Sequence, residues 1–408
     1  MKKIYFSTLF MSLLTAGTLF AQSQPSTSNI RKPVGINLSL WKRISTQPND
    51  STGSTFLNIG LFSSMNNLSG LGINAIGSIT HHDACGLQAS GFSNMTGGTM
   101  KGIQVAGITN INGNCARGIS ISGLVGINGS QSYGLLVSGL CNILGDANKG
   151  ATLAGLLNFA GKDIAGIHIS GLANISGENY KGTALSGVLN VVGGNMKGWQ
   201  VSGIANITAT DMNGLQTAAI GNVTGNELRG VQIGLLNMAQ KGKGVQIGLF
   251  NYYKEDFDGF QIGLVNANPQ TRVQLMVFGG NHTKVNVAAR FKNKLFYTIL
   301  GVGTPYFSFS DQFSGSLFYR AGMELSLYKS LSVSGDLGYQ HIETFQNKNN
   351  GCPKRLYALQ PRVNLEYRLN EKMGFFVTGG YSWDRPYTVN RNYSKGWIIE
   401  GGIILFKY

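Results

Sequence analysis

A glycine recurs every 16 residues, without a single slip, through the middle of this chain. Nine tandem units begin at Gly86, Gly102, Gly118, Gly134, Gly150, Gly166, Gly182, Gly198 and Gly214, and Gly230 follows the ninth unit. Strict periodicity of this kind indicates stacked repeats, in which each unit contacts only its neighbours. The repeat therefore predicts a scaffold or a binding surface rather than an enzyme cleft.

An asparagine column accompanies the lead glycines, eight residues after each, and only Gly126 interrupts it. Stacking would place these side chains above one another, where each amide can donate to the next. The column thus predicts a structural ladder, although turn residues are an alternative interpretation. Its members are Asn94, Asn110, Asn142, Asn158, Asn174, Asn190, Asn206 and Asn222.

Apolar side chains fill the positions six and nine residues after each lead glycine, and mostly also positions one and three. Polar side chains alternate with them in short runs broken by glycine, which is typical of strands. One strand per unit would make an up-and-down barrel, but its two rims would impose a 32-residue superperiod that the units lack. We therefore predict an all-β fold that begins with a β-solenoid of 16-residue coils, about 43 Å long for nine coils. Its interior core is expected to be the Ile, Leu and Val columns.

The period is lost at about residue 272, and longer alternating runs follow. Between Tyr357 and Leu369 every second residue is apolar, with polar residues between, as in outer-membrane strands. Tight turns alternate with long polar loops, so a small antiparallel outer-membrane-type β-barrel is predicted, with a soluble sandwich as the alternative. The eight expected strands are 272–279, 284–292, 294–303, 315–328, 330–342, 355–369, 372–383 and 396–408.

The N-terminal residues predict that the protein is exported from the cytoplasm. Residues 1–21 resemble a secretory signal peptide, with Lys2 and Lys3 before an apolar stretch. Residues 22–69 are expected to cap the solenoid or to add two strands to the barrel. The expected domains are then 1–21 signal peptide, 22–69 N-terminal strands, 70–270 solenoid and 271–408 barrel.

Composition agrees with repetitive β structure or with a β-barrel in lipid. Charged residues make up 12% of the chain, against about 25% in ordinary soluble domains. A net charge of +15 favours an anionic partner. Because charges of both signs are so few, no nucleic acid partner is expected.

One family is suggested by the motifs GLQASGFSN, GIQVAGITN, GVQIGLFN and GINLSLW together with the signal peptide. They resemble the surface-repeat-containing proteins of Gram-negative cell envelopes over roughly residues 34–268. The resemblance implies secretion across the inner membrane, a location at the outer membrane or cell surface, and a surface or structural role. It implies no activity that can be assigned to particular residues.

No catalytic, cofactor or metal motif is recognisable, so we expect a protein that is not an enzyme and needs no cofactor. The one candidate binding feature is a basic column at the last position of the unit: Lys101, Arg117, Lys149, Lys181, Lys197 and Arg229. It predicts binding of an anionic glycan or lipopolysaccharide, with protection of a sheet edge as the alternative. His168 takes a position held elsewhere by Gln or Ser and is expected on a solvated face.

Two functions remain open from the sequence. The first is a non-enzymatic, adhesin-like repeat scaffold held in outer-membrane lipid by the barrel. The second is a structural or channel-forming barrel with the repeats as a periplasmic or plug domain.

Overall fold

The computed structural model describes residues 35–42, 44–47, 53–308, 312–347 and 351–406. Regular structure in these residues is β-strand, arranged as a β-solenoid of about 13 turns followed by a closed antiparallel barrel of eight strands. The predicted fold class is therefore confirmed. The expected signal peptide lies outside the described residues, within which no helix is long and apolar enough to cross a membrane.

Each 16-residue unit forms one coil with a seven-residue strand and a four-residue strand, except that the ninth short strand continues into the next coil as Gly221–Ile233. The long strands are Ala84–Ser90, Met100–Ala106, Ala116–Ser122, Ser132–Ser138, Asn148–Ala154, Ile164–Ser170, Tyr180–Ser186, Met196–Ser202 and Met212–Ala218. The short strands are Ser93–Thr96, Thr109–Asn112, Val125–Asn128, Cys141–Leu144, Leu157–Ala160, Ala173–Ser176, Leu189–Val192 and Ala205–Thr208. Every strand pairs in parallel with its counterpart 16 residues on, as Gly182 does with Gly198. The constant period in the sequence is thus the register of the sheet.

The N-terminal segment stacks as further coils. Its strands are Ile36–Trp41, Ile44–Ser45, Ser54–Met65 and Asn67–Thr80. Ile36 pairs in parallel with Leu57, and Leu57 with Leu71. The described part of this segment therefore belongs to the solenoid and adds no strand to the barrel.

The chain divides into two compact units, residues 1–234 and 235–408. The last solenoid strand of the first unit is Gly221–Ile233. The second unit begins with shorter coils, whose strands are Leu236–Ile247, Phe250–Tyr253, Phe257–Ile262 and Val265–Ala267. The barrel starts a few residues later, at Arg272.

The lead glycines are required by backbone geometry. Gly182 has a φ of +138°, and a Cβ there would lie 1.9 Å from the carbonyl oxygen of Gly166 in the preceding coil. Only glycine combines a positive φ with so close an approach of two backbones. This requirement explains why the column recurs in every unit.

The predicted interior of the solenoid is wrong, because the coil is inverted. Gln200, Asn206 and Thr208 are fully buried, whereas Trp199 is 59% exposed and Ile204 45%. Successive strand residues point to opposite faces, so alternation in the sequence separates two faces without saying which is inside. Here the Gln, Ser, Asn and Thr columns face inwards together with a mostly apolar column that includes Met196 and Met212, and the Ile, Leu and Val columns at positions one, three, six and nine face outwards.

The barrel closes when its first strand pairs antiparallel with its eighth, as Val277 does with Ile403. Its strands are Arg272–Gly280, Val285–Asn293, Phe296–Thr304, Gln312–Tyr328, Leu331–Asn347, Arg355–Arg368, Met373–Pro386 and Ser394–Leu405. A two-residue strand, Phe307–Ser308, pairs beside the fourth. All eight predicted strands are present, with ends shifted by no more than five residues.

Candidate functional site

The asparagine column lies inside the solenoid as a hydrogen-bonded ladder. The Nδ2 of Asn158 donates to Oδ1 of Asn174 at 2.9 Å, and Asn174 donates in the same way to Asn190 at 2.9 Å. Each amide also donates to a backbone carbonyl, as Asn174 does to Leu185 at 2.7 Å. The equivalent bonds link Asn94 to Asn110, Asn142 to Asn158, Asn190 to Asn206 and Asn206 to Asn222.

Gly126 interrupts this ladder without leaving its neighbours unbonded. Asn110 donates instead to the Ser120 hydroxyl at 3.1 Å and to the Ile121 carbonyl at 2.8 Å. On the other side of the gap, Oδ1 of Asn142 accepts from Ser138 at 2.7 Å. The inward serines can therefore replace a missing amide.

A second inward ladder is formed by glutamines two residues after the lead glycines. Gln216 donates to Gln200 at 2.7 Å, and Gln232 donates to Gln216 at 2.8 Å. A buried amide that keeps its partners avoids the desolvation cost of an unpaired polar group. The interior of the solenoid thus combines a network of amides and hydroxyls with a mostly apolar column, in which Met100, Ile164, Met196, Met212 and Leu228 are buried.

His168 occupies the glutamine column and is fully buried, so its expected solvated position is wrong. Its Nε2 lies 3.0 Å from Nδ2 of Asn148, and its ring contacts Tyr180 edge to face. Burial lowers the pKa of His168 to about 3. The imidazole is therefore neutral at physiological pH and acts as part of the packing.

The basic column is exposed along one side of the solenoid. Lys101 pairs in register with Arg117, and Lys181 with Lys197. Tyr133 takes the column position between Arg117 and Lys149, whose cationic groups lie 5.2 and 5.7 Å from its ring centroid. Arg229 is paired with Glu227 at 2.9 Å. The structure brings the predicted residues together in one row, with Tyr133 as a member that the charge pattern did not include.

The acidic residues of the neighbouring turn have a structural role. Asp163 Oδ1 accepts from the backbone N–H of Asn179 at 3.1 Å, and Asp211 Oδ1 accepts from that of Glu227 at 3.2 Å. Each carboxylate thus ties one coil to the next. Asp146 is bound instead by Lys162 at 2.6 Å, and this hydrogen bond lowers the pKa of Asp146.

The outer surface of the solenoid is apolar and uncharged over most of each coil. The seven basic and five acidic residues between 86 and 230 all lie 12, 13 or 15 residues after a lead glycine. The other outward-facing positions of the repeat lie on the two strands of the coil and on the bend between these strands. Exposed side chains there include Ile103, Ile108, Ile119, Ile121, Leu124, Leu140, Leu156, Ile167, Ile169, Leu172, Trp199, Ile204, Ile207, Ile220 and Val223. We call this surface the aliphatic edge.

The barrel has the same polarity, with charged side chains inside. Arg290 makes two hydrogen bonds to Glu366, at 2.7 and 3.1 Å, and Arg362 binds Glu400. The guanidinium of Arg320 lies over the rings of Phe318 and Phe278. These paired and stacked groups fill the lumen with protein side chains.

The outer face of the barrel is apolar between two groups of aromatic residues. Along the sixth strand, Val363 is 60% exposed and Leu365 50%. Tyr357 lies at one end of this outward row, where it contacts Tyr339 and Tyr387. Tyr367 lies at the other end, ten residues on.

A cleft of about 420 Å³ lies within the second unit, between the last coils and the outside of the barrel. Phe257, Phe260, Phe296 and Tyr319 line it, and Tyr319 donates from its hydroxyl to the Gly263 carbonyl at 2.7 Å. Its lining is suited to a hydrocarbon chain more than to a polar substrate.

Among the described residues, no group of His, Cys, Asp and Glu is placed to hold a metal ion. Comparison of the chain with protein-family profiles, curated proteins and solved structures finds no match. The features described above that could serve a function are therefore surfaces: the basic column, the aliphatic edge and the outer face of the barrel. Sequence reasoning missed the aliphatic edge, although the restriction of charge to three positions of the repeat was a signal that could have identified it.

Proposed function

We propose that this chain is a non-enzymatic integral protein of a bacterial outer membrane, in which the barrel is the anchor and the repeats form a scaffold. The observation that carries the proposal is the apolar outer band of the barrel between aromatic ends. With about 3.4 Å per residue and a typical strand tilt of about 40°, Tyr357 and Tyr367 lie about 25 Å apart along the barrel axis. This distance matches the apolar band of outer-membrane barrels.

The channel-forming alternative is less favoured by the lumen. Eight strands enclose a space just wide enough for side chains, and here Arg290, Glu366, Arg362 and Glu400 occupy it as buried ion pairs. We expect no conductance steps when the purified chain is added to a planar bilayer. The resemblance to surface-repeat proteins of the cell envelope supports the same location without assigning a ligand.

The membrane assignment can be tested with two valine substitutions. Val363 lies midway along the apolar band, and V363R should oppose insertion by about 2–4 kcal/mol. Val389, equally exposed in the last long loop, gives the matched control V389R. Folding into phospholipid vesicles, measured as heat-modifiable gel mobility, should fall for V363R alone. Equal folding of both variants, or release of the unmodified chain by carbonate, would contradict the proposal.

A further inference from the structure

The aliphatic edge covers far more apolar area than a soluble monomer exposes. Nine coils at about 4.8 Å, with roughly 26 Å of chain from position one to position nine, give on the order of 1,000 Å². The largest apolar patch on an ordinary monomer is about 300–600 Å². The inward side, by contrast, carries the Gln and Asn ladders and many hydroxyls beside a column of buried apolar residues such as Met196 and Met212, so a large part of the polar surface of the coil is turned away from the surroundings. This polarity indicates that the solenoid is adapted to an apolar surrounding.

We propose that the aliphatic edge of the solenoid is itself embedded in the hydrocarbon of one membrane leaflet. In this arrangement the solenoid axis lies in the plane of the bilayer, and the charged turns remain in water or among the headgroups. The inference goes beyond the proposed function, because it assigns lipid contact to the repeats, and it rests on that function for the presence of a membrane.

The distribution of charge supports lipid as the occupant. Trp199 and Ile204 lie in the uncharged part of the coil, while Lys197 stands directly before the lead glycine. Six residues separate Gly198 from Ile204, or about 20 Å of extended chain. A hydrocarbon leaflet is about 15 Å thick. The edge is thus deep enough to fill one leaflet, with the basic column at the level of anionic headgroups.

Backbone bonding also permits immersion. Groups exposed to hydrocarbon must find their partners within the protein, and here each coil bonds to the next on both sides of the bend. The Leu172 N–H donates to the Leu156 carbonyl at 2.9 Å, and Ala173 N–H donates to the same oxygen at 2.9 Å. The bend therefore presents side chains rather than free amides to its surroundings.

A protein partner fits this surface less well. The apolar columns cover two faces and the bend between them, so a partner would have to enclose the coil on three sides. Their side chains are mostly Ile, Leu and Val at a constant spacing. A fluid hydrocarbon phase covers such a surface without any need for shape complementarity.

Single-tryptophan variants of the full chain test the proposal in vesicles whose acyl chains carry bromine, which quenches tryptophan fluorescence on contact. The first retains only Trp199, with W41F, W383F and W397F. The second carries V363W, and the third carries N213W at the charged side of the coil, each with all four native tryptophans replaced by Phe. We expect strong quenching of Trp199 and of the V363W probe, and little quenching of the N213W probe.

The outcomes separate the two proposals. Quenching of the V363W probe without that of Trp199 would overturn the embedded solenoid and leave the membrane barrel intact. Absence of quenching at both would overturn the proposed function as well. Trp199 fluorescence that changes with protein concentration but is not quenched by brominated acyl chains would show that a second copy covers the edge. This result would also overturn the lipid assignment.

A charge placed on the edge provides an independent check. I204K adds an ammonium at an already exposed position of the bend, and N213K adds it at the charged side. We expect I204K to reduce the quenching of Trp199 several-fold, with N213K leaving it unchanged. Equal quenching in both variants would contradict an edge immersed in hydrocarbon.

Discussion

His168 shows how a single residue can make the solenoid sensitive to acid. Its pKa is about 3 in the folded chain, against about 6.5 in an unfolded one. Between these values the unfolded chain binds the proton and the folded chain does not, so stability falls as pH falls below 6.5.

The corresponding prediction compares the native chain with H168Q, which places at this position the residue that Gln200 supplies in the same column. From pH 7 to pH 5 the native chain should lose about 2 kcal/mol of unfolding free energy more than H168Q. Urea unfolding in detergent at the two pH values measures the difference. The same loss in both chains would show that His168 can be protonated within the fold.

Asn174 gives a second prediction at the residue scale. N174L removes a donor and an acceptor and fills their space, so Asn158 and Asn190 each lose a partner, at about 1–3 kcal/mol per unsatisfied group. N174G leaves room for an inward serine to bond, as Ser138 does beside Gly126, and should cost about 1 kcal/mol. Urea unfolding should therefore rank N174L below N174G, and equal stability would argue against the ladder.

At the scale of the coil, the lead glycine limits what the strand can accept. G182A would place a methyl group 1.9 Å from the Gly166 carbonyl at a positive φ, so we expect the solenoid to lose at least about 3 kcal/mol. T183A, one residue on in the same strand, is the control and should cost less than about 1 kcal/mol, since Ala151 already fills that position. Comparable unfolding free energies for the two variants would contradict the close backbone approach.

The sequence was informative about elements and misleading about their environment. The 16-residue period predicted the coils, and alternation predicted all eight barrel strands, because both follow from backbone geometry. The inward face of the coil could not be predicted by assuming that Ile, Leu and Val are buried, since that assumption holds for proteins surrounded by water. His168 was predicted to be solvated because Gln and Ser hold its position in other coils, whereas for Asn174 the hydrogen-bonding chemistry of stacked amides pointed to the interior.

At the scale of the whole molecule, one principle describes both parts of the chain. Inside the solenoid the buried Gln216 donates to Gln200 and the buried Asn206 donates to Asn222, and inside the barrel Arg290 donates to Glu366, while rows of aliphatic residues face outwards. The low share of charged residues follows from this arrangement, because an apolar exterior leaves few surface positions at which a charged side chain is solvated. In the repeats these positions are the turn and the basic column.

The basic column leads to the last prediction. Lys181 and Lys197 are neighbours in register, about 5 Å apart at the backbone, so their ammonium groups repel and an anionic glycan or lipopolysaccharide core would relieve that repulsion. K149Q, K181Q and K197Q together should weaken binding of the full chain to such a polymer, and physiological salt, which screens exposed charges over about 8 Å, should weaken binding of the native chain. Sedimentation with lipopolysaccharide at low and physiological salt measures both effects.

The control combines K284Q, K354Q and K395Q, which lowers the net charge equally at exposed barrel positions and should bind as the native chain does. Equal binding by the two triple variants would show that the column only protects the side of the solenoid from pairing.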